Sequence, residues 1–71
     1  MSMSKAEKMW NFVGQNVIIE DFKGRNFEGR NIDCERPDDN EENEYAIYFT
    51  TVTGENWCLS EHEIVSLEIK I

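Results

Sequence analysis

Few side chains in this sequence have the type and spacing to do chemistry. Cys58 and His62 stand four apart, and with distant Cys34 they supply three donors of the kind zinc prefers. A structural zinc site takes four such ligands, so a carboxylate would have to complete it. The simpler reading is a thiol in the core beside a surface histidine, and no metal is expected. Cys58 and His62 could also serve as nucleophile and base. The sequence offers no third group to orient the histidine, and 71 residues leave little room for an enzyme pocket. Neither a catalytic residue nor a cofactor is expected.

The second candidate is "ERPDDNEENE", residues 35 to 44, with six carboxylates in ten positions. Asp38, Asn40, Glu42 and Glu44 alternate as calcium ligands do. The calcium mechanics fail, because Asn43 stands where the loop needs glycine and Phe49 where it needs a bidentate glutamate. Two readings remain for this acidic loop over 35–43. One is a solvated hairpin connection, which the lone proline and the lack of a large apolar residue favour. The other is an acidic contact for a basic protein surface through Asp38, Asp39, Glu41, Glu42 and Glu44. In its extreme form that contact mimics a nucleic acid and inhibits a basic DNA-binding protein.

The third candidate is the trio Lys23, Arg25 and Arg30, with Phe27 among them, which could hold a short single strand of nucleic acid. Glu20, Asp21, Glu28 and Asp33 interleave with these cations, as in ordinary cross-strand charge pairing. Little net positive charge is left to displace counterions from a nucleic acid.

The elements that must position these groups follow from spacing. Ser4 and Glu7 form a capping-box pattern, and Ala6, Met9, Trp10 and Val13 make one apolar stripe before Gly14, predicting a helix over about 4–13. Alternating apolar residues and glycine turns predict strands over about 16–22, 26–34, 44–52, 56–59 and 65–71. Phe27 is out of phase with Ile32 and Cys34, so a bulge is expected at Gly29, where it would bend the second strand sharply. In the third strand Tyr45, Ile47 and Phe49 share a face, and in the fourth Trp57 and Leu59 do. Ser60 and Glu63 leave room for one helical turn before Val65, Leu67, Ile69 and Ile71 alternate into a last strand. The expectation is one domain over 1–71: a short helix, then five antiparallel strands bent into a small barrel. Its last strand is expected at an edge, where pairing would give a homo-oligomer.

The stretch "VIIEDFKGRNFEGRNID", residues 17 to 33, resembles the first half of an Sm-like domain, with Gly24, Phe27, Gly29, Ile32 and Asp33 at matching positions. That resemblance implies a small barrel, ring assembly and RNA binding. The chain departs from the family where RNA is held. The family carries an Asp-x-hydrophobic-Asn pattern in one loop and Arg-Gly or Lys-Gly in the last, whereas this chain reads "YFTTVTGEN" and "LSEHE". It is also similar to small uncharacterised proteins of Gram-positive bacteria and their phages, through "DDNEEN" and "HEIVSLEI". That second likeness carries no activity with it.

Charge weighs the same way. The net charge of −8 opposes long-range attraction to nucleic acid or an anionic membrane and favours basic partners. With 39% hydrophobic residues, a true core is affordable despite 31% charge. No run of 18 apolar residues and no signal-peptide pattern occurs in it, so a cytoplasmic protein is expected. In that compartment Cys34 and Cys58 are expected as small, unpaired core residues. The function expected is non-enzymatic protein interaction, with single-stranded nucleic-acid binding and nucleic-acid mimicry as the alternatives.

Overall fold

The computed structural model describes residues 3–39, 41 and 43–71. The chain runs α1 (Lys5–Asn11), β1 (Asn16–Asp21), β2 (Asn26–Glu35), β3 (Ala46–Thr51), β4 (Asn56–Ser60) and β5 (Ile64–Ile69). Single 3₁₀ turns lie at Pro37–Asp39 and Glu61–Glu63. No helix among the described residues is long and apolar enough to cross a membrane.

The expected capping box starts α1. Glu7 N donates to Ser4 Oγ at 3.2 Å, and Ser4 N donates to Glu7 Oε1 at 3.0 Å. The buried stripe differs from the expected one. Met9 and Phe12 are buried, whereas Trp10 and Val13 are exposed. The helix ends at Asn11 with Phe12 as its cap, so Val13 has left the helical period before it could join the stripe.

The five strands form one antiparallel sheet in the order β4-β3-β2-β1-β5. Its end strands, β4 and β5, are not paired with each other, so the sheet is not closed into a barrel. β5 lies at an edge, as the sequence led us to expect. β2 is the hinge of the sheet: its first half pairs with β1, its second half with β3, and Gly29 pairs with both. β3 comes so close there that a Cβ on Gly29 would stand 2.2 Å from the carbonyl oxygen of Thr50.

The phase shift in β2 is real, but it falls at Ile32 rather than at Gly29. Gly29 stays in phase with Phe27 and Asn31. The register slips between Asn31 and Asp33, leaving Ile32 54% exposed and returning Cys34 to the core. A second slip, opposite Glu20 and Asp21, corrects the last strand. Ile64 and Leu67 are buried, while Val65, Ile69 and Ile71 are exposed.

The core gathers Val17 and Ile19 of β1, Cys34 of β2, Ile47 and Phe49 of β3, Leu59 of β4, and Ile64 and Leu67 of β5 under Met9 and Phe12. Phe27, Tyr45 and Trp57 pack against it from its half-open side. Cys34 is buried and free, and burial, reinforced by the nearby Asp33 charge, pushes its thiol up to about 11. Cys58, expected in the core, is exposed, because alternation along β4 turns Trp57 and Leu59 inward and the residue between them outward.

Candidate functional site

The acidic stretch begins where β2 ends. Glu35 accepts a hydrogen bond from the Tyr48 hydroxyl at 2.8 Å, fixing the last turn of strand to its neighbour. That bond, with the adjacent Cys58 and the Glu35 charge also contributing, pushes the Tyr48 hydroxyl up to about 12. The Arg36 guanidinium then lies 4.6 Å from the centre of the Trp10 ring. After the 3₁₀ turn, Asn43 takes a positive φ of 55°, a conformation asparagine tolerates, and the chain turns into Glu44.

Glu44 is an anchor. Its Oε1 accepts from His62 N at 2.9 Å and meets His62 Nδ1 at 2.5 Å. These bonds, the backbone one foremost, hold its carboxyl below the usual carboxylate range. A depressed folded pKa contributes stability above the unfolded value, near 4.5, and that contribution disappears as pH falls through the folded value. Glu44→Gln is therefore expected to lower the thermal midpoint at pH 7 and to converge with the parent in acid, once the pH lies below the depressed folded value. An equal deficit at both pH values would rule this account out.

The five acidic candidates thus divide. Asp38 and Glu41 are exposed, and Glu44 is half-buried and tied to His62. Asp39 lies in the 3₁₀ turn, and Glu42 lies outside the described residues. For His62 the sequence offered no orienting group, and the structure supplies one in Glu44. Cys58 keeps company with Tyr48 on the outer face of β4.

The basic trio is not assembled. Lys23 lies 5.6 Å over the Phe22 ring in the β1–β2 turn. Arg25 donates from Nε to Asp21 Oδ2 at 2.7 Å and sits over Phe27 and Trp57, at 5.6 and 5.1 Å. Arg30 is five residues further along the chain, within β2 and about 16 Å away at strand spacing, and points outward between Asn16 and Thr50. The interleaved acids do pair, in part: Asp21 with Arg25, and Glu28 with Lys70.

Asp21 was missed as a special residue, and its side chain is fully buried. Desolvation raises its pKa, yet bonds from Arg25 N, Arg25 Nε and Lys23 N together outweigh it and leave the carboxyl below its ordinary value. The only sequence signal was an aspartate two residues ahead of the turn "KGR", where its oxygens can accept from the turn's own N–H groups. Also missed were the outward positions of Trp10 and Ile32, at 44% and 54% exposure.

Among the described residues no group of three or more His, Cys, Asp or Glu is arranged to hold a metal ion. Comparison with protein-family models, with curated proteins and with solved structures gives no match.

Proposed function

We propose that this chain is a non-enzymatic interaction module of the Sm-like small-barrel type, whose acidic connection docks on a basic surface of a protein partner. The observation that carries the reading is the way the connection is held. Asp38 and Glu41 are exposed, while Glu35 is bonded to Tyr48 at one end and Glu44 to His62 at the other. A loop pinned at both ends presents its charge with less ordering cost than a free tail, and charge of this kind speeds encounter with a basic partner. The short helix followed by five antiparallel strands, with β2 passing from β1 to β3 at a glycine, supports the Sm-like part. Work in the cytoplasm is part of the same reading.

The test is capture from the source cell with the parent chain and with a variant carrying Asp38→Asn, Asp39→Asn, Glu41→Gln and Glu42→Gln. The variant should lose the captured protein, and the parent should release it as salt is raised. Equal capture by both would overturn the reading.

Self-association is a second reading, favoured by the open edge at β5. Lys70 N donates inward to Asn16 O, so by alternation the backbone groups of Leu67 and Ile69 face outward, beside exposed Val65 and Ile69 side chains. Light scattering after size exclusion should then show a mass that rises with concentration. A constant 8.4 kDa species excludes it.

A further inference from the structure

The acidic connection borders a row of apolar side chains that the core does not use. The pairings place Asp33, Tyr48 and Cys58 side by side across β2, β3 and β4, on the face opposite buried Phe49, and the bulge turns Ile32 out next to Asp33. Gly14 N donates to Asn31 O, which brings exposed Val13 to the same margin. Trp10 completes it under Arg36. The apolar members are thus Ile32 and Tyr48 beside Asp33, Val13 at the Asn31 end and Trp10 under Arg36, with Glu35 bonded to Tyr48 and exposed Asp38 and Glu41 in the connection that follows.

The geometry points to a docking surface for a basic amphipathic segment of a partner protein. The segment's apolar face would cover Trp10, Ile32 and Tyr48, and its cations would meet the carboxylates of Asp33, Glu35, Asp38 and Glu41. This deepens the acidic-contact reading and rests on it. Exposed apolar side chains on one margin, rimmed by charge of one sign, mark an interaction surface whose partner carries the opposite sign. A second copy of this chain fits the face poorly, because it brings −8 of its own and a second acidic connection to the same rim. Arg36 does not reverse the sign, since one cation stands among four acids.

Three probes test this on the full chain by backbone amide spectra. They are an 18-residue peptide of Lys and Leu with the leucines at helical spacing, the same composition with the leucines scattered, and an 18-residue oligolysine. The amphipathic peptide should bind and move the signals of residues 10, 32 and 48 together with those of 35–41. Ile32→Ser and Trp10→Ser, both at exposed positions and each checked for a native spectrum, should weaken it by about fivefold or more. Oligolysine should bind weakly, lose its hold with salt and ignore both substitutions. If all three peptides bind alike and the shifts stay within 35–44, the apolar row takes no part and the inference falls, while the acidic contact stands. If none binds, the acidic contact falls as well. Concentration-dependent broadening at residues 10, 32 and 48 without peptide would give the face to a second copy and overturn the inference.

Discussion

Gly29→Ala is expected to leave the chain largely unfolded at 25 °C. The added methyl would stand 2.2 Å from Thr50 O and 2.8 Å from Thr51 Cα, and both are backbone atoms that no rotamer change can move. β2 and β3 would have to part by more than an ångström where β2 passes from β1 to β3, at the pairings of Gly29 with Thr51 and Arg30 with Thr50. A chain of 71 residues has a total stability of roughly 4–10 kcal/mol at 0.05–0.15 kcal/mol per residue, so losing this seam consumes most of it. Gly24→Ala is the control. Its Cβ meets nothing within 4 Å, and its only penalty is the positive φ of 80°, about 1–2 kcal/mol. Amide spectra and urea titrations of the two variants should separate steric exclusion from backbone strain. A Gly29→Ala protein that unfolds with the parent's midpoint would mean the strands do not run this close.

Much of this architecture was legible because its signals are local. A capping box, a glycine after an apolar stripe and alternation in "EYAIYFTTV" depend on residues within one or two turns of each other, and the elements stand within about two residues of where the spacing put them. The faces were less legible at the two bulges. A one-residue slip inverts every side chain beyond it, and the sequence showed that β2 must slip without showing where. Gly29 looked like the place because glycine often marks bulges. In fact its missing side chain is spent on close approach, and the slip falls three residues later at Ile32, whose β-branched side chain gives no hint of it. Val65 repeats the lesson, since the alternation from Val65 to Ile71 is perfect in sequence, yet of its four apolar residues Leu67 alone is buried. Closure was over-read for a related reason: bends are local, but whether the first and last strands meet depends on their sum.

The candidate site was legible as composition and not as geometry. Nothing in "ERPDDNEENE" distinguishes Glu44 from its neighbours, because its role comes from His62, 18 residues away. In the same way the sequence set Arg25 among interleaved acids expected to pair on a solvated face, and the one that takes it is a buried aspartate that fixes it against two aromatic rings.

That ring cluster leads to the second large effect, a loss of about 3–5 kcal/mol for Phe49→Ala. Phe49 is 1% exposed, meets Phe27 edge-on at 5.4 Å and 64°, and lies opposite Trp57 across the β3–β4 pair. Phe27 and Trp57 in turn approach to 4.7 Å. Truncating Phe49 removes buried apolar surface and leaves a void beneath both rings, which can close only if β4 shifts, and β4 is an edge strand held by β3 alone. The substitution should therefore lower the urea midpoint steeply and also loosen Arg25, whose guanidinium rests on the same two rings. Phe49→Leu, which fills most of the space, should cost under about 2 kcal/mol and keep the Arg25 side-chain signals in place. If Phe49→Ala instead costs no more than Phe49→Leu, the rings repack without Phe49, and the half-open side of the core is far more plastic than its packing implies.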